Sequence, residues 1–234
     1  MKEDICSIPI NEIFAVTEGC PICRMRRELE ERALEFVTGA AMMEPDVRHE
    51  TNRLGFCPAH LHTLCERPNR LPLALVLESH LITVDELVFC KNASGPLRGE
   101  TKAAGGAARE AARIGASCYV CDRMARSLDK QLNTFFVLWK TAPEFRAQVE
   151  AQSGFCLADY ALLLQKGEAV LGKKDFPAFA QAVGKVTRAG LLCLTEDVTA
   201  FCKMYDYHNN GADFGPLRGA VRRAAAFLGV PEEK

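Results

Sequence analysis

Eight residues of this chain have the types and spacing of metal ligands. Cys20-Pro-Ile-Cys23 is followed, after 33 intervening residues, by Cys57-Pro-Ala-His60. Cys118-Tyr-Val-Cys121 is followed, after 34, by Cys156-Leu-Ala-Asp159. A C-x2-C turn aims two thiolates at one point, and a C-x2-H pair at the start of a helix puts sulfur and nitrogen on one face. Two such pairs make a closed tetrahedral shell, the form of structural zinc sites. Order and spacing predict one Zn2+ held by Cys20, Cys23, Cys57 and His60. A second site is expected from Cys118, Cys121, Cys156 and Asp159. There the carboxylate could complete the shell, water could fill the fourth position, or the site could persist as fold alone. The macrodipole of helices opening at these pairs favours the thiolate form.

These ligands must be positioned by helices, because apolar residues recur at helical steps almost everywhere. Met25, Leu29, Ala33 and Phe36 mark one face after Cys23, and Met124, Leu128, Leu132, Phe135 and Trp139 mark another after Cys121. A third stripe runs through Leu73, Leu77, Leu81, Val84 and Val88. A long C-terminal helix carrying Phe179, Val183, Val186, Leu194, Val198 and Phe201 is expected to start near Asp175 and Pro177. No sustained two-residue alternation occurs, so the class is all-α. Pro45-Asp and Pro143-Glu read as first turns of short helices before each Gly-Phe-Cys. The chain therefore reads as two copies of knuckle, helix, short helix and ligand-bearing helix. The expected division is residues 1–91, a Gly/Ala-rich linker at 92–117 that could carry a short alanine-rich helix, and residues 118–234 with the C-terminal helices. A closing helix is expected over about Leu217–Leu228.

Composition narrows the function classes. With 29 basic and 30 acidic side chains the chain has no overall electrostatic footprint for nucleic acid. The opening MKEDICSIPINEIFAV is a poor secretory signal, and Leu71 to Cys90 is too interrupted by charge to span a membrane. A reducing cytoplasm is therefore expected, where C-x2-C signals metal or redox chemistry rather than structural disulfides. Cys6, Cys65, Cys90, Cys193 and Cys202 read as packing residues, and His49, His62, His80 and His208 as unconnected singletons. Gly95-Pro-Leu-Arg-Gly99 recurs as Gly215-Pro-Leu-Arg-Gly219. It reads as a turn at a helix entrance, with anion binding by Arg98 or Arg218 the sharper reading. No Ser/His/Asp order, phosphate loop or H-E-x-x-H is present.

Ile8-Pro-Ile-Asn-Glu12, Cys20-Pro-Ile-Cys23, Leu54-Gly-Phe-Cys57 with His60, Asn69-Arg-Leu71, Gly154-Phe-Cys156 and Phe201-Cys-Lys-Met-Tyr-Asp-Tyr207 resemble a group of uncharacterised bacterial proteins classed as a domain of unknown function. The resemblance covers nearly the whole chain. It implies the duplicated metal-binding architecture, usually with histidine where this chain has Asp159, and no activity. The expectation is a cytosolic zinc protein with a non-enzymatic structural or interaction role, binding a protein or small ligand. The alternative is a thiol-redox or metal-dependent enzyme.

Overall fold

Proline sets where many of the helices begin, because the first amides of a helix have no intrahelical acceptor to lose. Pro9, Pro45, Pro58, Pro72 and Pro143 all stand in the first two positions of helices. The computed structural model describes residues 7–90, 100–206 and 213–230, and no strand occurs among them. In chain order the helices are α1 (Ile8–Ala15), α2 (Pro21–Thr38), α3 (Pro45–Leu54), α4 (Pro58–Cys65), α5 (Leu71–Val84), α6 (Glu100–Gly115), α7 (Tyr119–Thr141), α8 (Pro143–Glu150), α9 (Leu157–Lys203) and α10 (Ala220–Leu228). Short 3-10 turns cover Ala40–Met43 and Gly215–Gly219. The all-α class and the local order of each repeat stand as the periodicity predicts: α2, α3, α4 and then α7, α8, α9.

Three elements refine the expected outline. The residues from Glu100 to Gly115, read as linker, form α6; residues 91–99, with the first Gly-Pro-Leu-Arg-Gly copy, lie outside the described residues. The third apolar stripe is interrupted at Leu81 and resumes at Val88, which is buried. Leu73 and Val76 are buried, but Leu81 is 65% exposed, and α5 widens into a π-helical turn over Asp85–Cys90. The span Leu157–Lys203 is two helical stretches joined at Gly172, whose φ of 67° and ψ of 176° are not helical, so the long C-terminal stretch starts just beyond Gly172, close to the expected Asp175 and Pro177. Pro177 lies five residues after that break, inside the second helical stretch.

Contacts gather the chain into two compact units: residues 27–128, and residues 1–26 together with 129–234. These units differ in their bounds from the tandem division at 91 and 118. Each repeat's knuckle closes against the ligand pair of the other repeat, so contacts collect around exchanged partners rather than around each repeat. The 27–128 unit centres on Leu34, Val37, Phe56, Leu64, Val76 and Val120. In the other unit an aromatic cluster holds α1, α7, α8 and α9 together. Phe14 lies 5.3 Å from Phe135 and 5.1 Å from Phe145, while Phe179 lies 5.4 Å from Phe136 and 5.2 Å from Trp139, all centroid to centroid. Most of these pairs are edge-on, which adds about 0.5–1.5 kcal/mol each beyond burial. Between α9 and α10 runs an apolar groove of about 240 Å³ lined by Leu194, Val198 and Phe227. No helix among the described residues is long and apolar enough to cross a membrane.

Close approach, rather than helix propensity, explains Gly190 in α9. A Cβ there would stand 2.2 Å from the Ser153 carbonyl oxygen and 3.4 Å from the Cα of Gly154. The turn carrying Cys156 is thus laid directly on the α9 backbone. Gly184, on the same helix, would place its Cβ 3.5 Å from the Tyr160 hydroxyl, an ordinary contact. Gly190→Ala is therefore expected to destabilise by about 1–3 kcal/mol through overpacking, and Gly184→Ala to stabilise by about 0.5–1 kcal/mol. Denaturant midpoints of the two variants should move in opposite directions; parallel shifts would contradict the backbone contact.

Candidate metal centres

Each ligand pair occupies the same two positions of a helix. Cys20 immediately precedes α2 and Cys23 is its third residue; Cys118 and Cys121 stand likewise at α7. Cys57 caps α4 with His60 third, and Cys156 caps α9 with Asp159 third. Cys57 and Cys156, the first residues of their pairs, are in the extended cap conformation, with ψ of 160° at both. One turn of helix then brings the third residue beside it. The amide of Cys121 approaches the Cys118 sulfur at 3.5 Å, so the sulfur also serves as the helix cap. Gly55 supplies the turn into Cys57: its φ is 60°, and a Cβ would meet His80 Nε2 at 2.6 Å. His80 in turn holds the Asn52 carbonyl through Nδ1 at 2.9 Å. Helix N-termini carry about half a positive charge each, which favours anionic ligands at these positions.

The pairs meet crosswise. Cys57, His60, Cys118 and Cys121 form one cluster, and Cys20, Cys23, Cys156 and Asp159 form the other, with the ligand atoms of each lying within 4.8 Å of one another. All eight residues expected from the sequence are brought into four-donor sets. The pairing within each repeat, Cys20 and Cys23 with Cys57 and His60, and Cys118 and Cys121 with Cys156 and Asp159, is corrected. The reason is helix length. The 18 residues of α2 advance the chain roughly 27 Å away from Cys20. The ten-residue α3 covers only about 15 Å, so the pair that follows does not return to the knuckle.

In the Cys57 centre, His60 Nδ1 lies 3.2 Å from both Cys57 Sγ and Cys118 Sγ and 3.4 Å from Cys121 Sγ, while Cys57 and Cys121 sulfurs are 4.0 Å apart. In the Cys20 centre, Asp159 Oδ2 lies 3.3 Å from Cys20 Sγ and 3.2 Å from both Cys23 Sγ and Cys156 Sγ, with Cys23 and Cys156 sulfurs 3.6 Å apart. A zinc tetrahedron with Zn–S near 2.3 Å and Zn–N or Zn–O near 2.0 Å has edges of roughly 3.5–3.8 Å. Both donor sets fit such an ion. Asp159 lies in the second cluster, its buried carboxylate beside the three sulfurs where a fourth ligand is expected.

Protonation reflects the crowding of acids. Hydrogen bonding to Cys156, then burial, holds the Cys20 thiol up at about 12, and Cys23 is raised by hydrogen bonds to Cys156 and Cys20. The same bonds, seen from the acceptor, lower Cys156 to about 2. Burial and the neighbouring Cys118 thiolate raise Cys121 to about 12. Burial opposes ionisation of Cys118, but hydrogen bonds from His60 and from backbone amides bring it down to about 6. His60 is raised, chiefly by its bond to Cys118. Asp159 is raised by burial against the opposing pull of Arg26.

Two residues that the sequence reading passed over stand behind the non-sulfur donors. Arg26 pairs through Nη1 with Asp159 Oδ1, and Glu30 Oε1 lies 3.4 Å from His60 Nε2. Their signal was available: they follow Cys23 by three and seven residues, the spacing of one helix face. The other cysteines stay apart. Cys65, Cys90, Cys193 and Cys202 are exposed rather than packed, and Cys6 and His208 lie outside the described residues. His49 and His62 are exposed. Arg218 pairs with Asp213 at 2.7 Å within the Gly215–Gly219 turn, which opens onto α10 as a helix entrance.

A family of unknown function, DUF6062, matches residues 1–233, and the chain belongs to that family. No curated protein and no solved structure matches the chain.

Crosswise closure is testable residue by residue. Cys57→Ser is expected to expose Cys118 and Cys121 to alkylation while Cys20 and Cys23 stay protected; the opposite protection pattern, read by peptide mass spectrometry, would restore pairing within each repeat. Cys193→Ser should change neither. Metal affinity should also fall as the pH is lowered. Cys20, Cys23 and Cys121 hold their protons at neutral pH because their pKa values are raised. Each proton a cation displaces makes apparent affinity rise about tenfold per pH unit. Competition titrations at several pH values, with proton release measured in weak buffer, check this slope.

Proposed function

We propose that this member of DUF6062 is a zinc-clipped helical protein with a non-enzymatic structural or interaction role. The observation that carries the reading is that each of two clusters offers four converging protein donors at tetrahedral spacing. Three sulfurs with one nitrogen or oxygen suit Zn2+ better than hard cations, which prefer all-oxygen shells. Four protein ligands leave no coordination position for a substrate, which favours a structural ion over a catalytic one. Bound zinc neutralises thiolates that otherwise repel each other and fixes two helix ends at one point.

Such a clip matters because the ligand pairs are far apart in the chain: 58 residues separate His60 from Cys118, and 133 separate Cys23 from Cys156. Closing loops of this length opposes folding by a few kcal/mol, and structural zinc supplies roughly 10–16 kcal/mol of apparent binding free energy in small domains. The working setting is a reducing cytoplasm, where the thiols stay available, and the helical surfaces are presented to a protein or small-ligand partner. A dithiol oxidoreductase would instead cycle Cys20–Cys23, yet both thiols face Asp159 in a donor set that such a cycle does not require.

Elemental analysis of protein purified without added metal should find about two zinc ions per chain, and chelation should lower the melting temperature by well over 10 °C. Metal-free protein whose melting is unaffected by chelator, or a Cys20–Cys23 disulfide that cycles rapidly with a thiol reductant, would overturn the reading.

A further inference from the structure

The two centres differ in their one non-sulfur donor, and each such donor is backed by a charged residue of α2 that is not itself a ligand. Asp159 turns Oδ2 to the three sulfurs and Oδ1 to Arg26. His60 turns Nδ1 to the three sulfurs and Nε2 to Glu30. We propose that Arg26 and Glu30 are positioning residues for zinc, each serving one centre: Arg26 keeps Asp159 a one-oxygen ligand and balances its charge, and Glu30 holds the His60 Nε2 proton so that Nδ1 faces the metal. This rests on the reading of both clusters as zinc centres.

Charge explains why the partners have opposite signs. Three thiolates, a neutral imidazole and Zn2+ carry one net negative charge, and two helix N-termini of about +0.5 each offset it. Exchanging the imidazole for a carboxylate adds one further negative charge, buried completely at Asp159. Arg26 supplies the compensating cation. Its own side chain is 37% exposed, but its partner is wholly enclosed, so the pair is not a screened surface bridge. An arginine behind His60 would repel the metal without a carboxylate to meet. A carboxylate there accepts the ring proton, fixes the tautomer and raises the basicity of the ligating nitrogen.

Geometry adds a second argument. A carboxylate free to rotate can bind a cation through both oxygens, which expands the shell beyond four. With Oδ1 occupied by Arg26, only Oδ2 is presented, at nearly equal distances from the three sulfurs. An imidazole free to flip would present either nitrogen; the Glu30 contact distinguishes them.

The full-length zinc-loaded chain serves for the test, with each centre read separately by alkylation protection of its own cysteines during chelator competition. Arg26→Ala should weaken the Cys20 centre about 10–100-fold and leave the Cys57 centre unchanged, with Arg26→Lys recovering part of the loss. Glu30→Ala should do the reverse, with Glu30→Gln, which still accepts the ring proton, recovering part. In an Asp159→His background Arg26→Ala should weaken nothing, because the carboxylate it serves is gone. The undisturbed centre in each variant reports that the chain has folded. Equal weakening of both centres by either substitution, or no weakening by both, overturns the proposal while leaving two zinc ions per wild-type chain. A wild-type chain that binds no zinc overturns the underlying reading as well.

Discussion

Two helix N-termini pointing at one spot repel each other, and the fold places such a pair at each cluster. Every ligand pair sits at the cap and third position of its helix, so α4 meets α7 at one centre and α2 meets α9 at the other. Each end carries about half a positive charge and unpaired amides. Anionic donors make that meeting favourable, but three or four anions in one buried space then repel each other in turn. A dication resolves both conflicts at once. Where protons do the sharing instead, they are held with raised thiol pKa values at Cys20, Cys23 and Cys121.

The dependence of the surrounding structure on this balance is visible in its small residues and polar contacts. Gly55 turns the chain into Cys57 against His80, and Gly190 lets the Ser153–Gly154 turn lie on α9 just ahead of Cys156. The Ser117 hydroxyl donates to the Leu54 carbonyl at 2.7 Å, and the Tyr119 amide donates to Gly55 at 2.9 Å. These contacts join the approach to Cys118 with the approach to Cys57, so the centre is prepared by backbone as well as by ligands. The aromatic cluster around Phe135 does the same at a longer range, fixing α7, α8 and α9 whose ends carry Cys156 and Asp159.

Much of this could be read from the residues. Helix class, the proline starts at Pro45 and Pro143, the buried faces of α2 and α7, and the membership of all eight donors follow from short-range pattern, and short-range physics produces them. The pairing did not follow. Gaps of 33 and 34 residues make Cys57 and Cys156 equally good partners for either knuckle. The choice depends on how far α2 carries the chain, which spacing alone does not weigh. Arg26 and Glu30 escaped notice because charged residues on a helix are ordinary; only the donor each one backs gives it meaning. Residue type alone assigns Cys193 and Cys202 to packing, whereas both are exposed. The Gly172 break, by contrast, is announced by Asp175 and Pro177, the helix-start signals just beyond it.

The exchange of partners has a consequence for ancestry. One repeat alone owns a knuckle and a second ligand pair, but its own helix carries them too far apart to join. A chain half this length would hold two incomplete sets of donors and could satisfy them only by embracing a twin. Fusion of two such chains end to end makes that embrace internal, so the covalent link replaces a dimer's dependence on concentration. The two copies differ at one donor, histidine in one and aspartate in the other, and each has a charged neighbour of its own on α2.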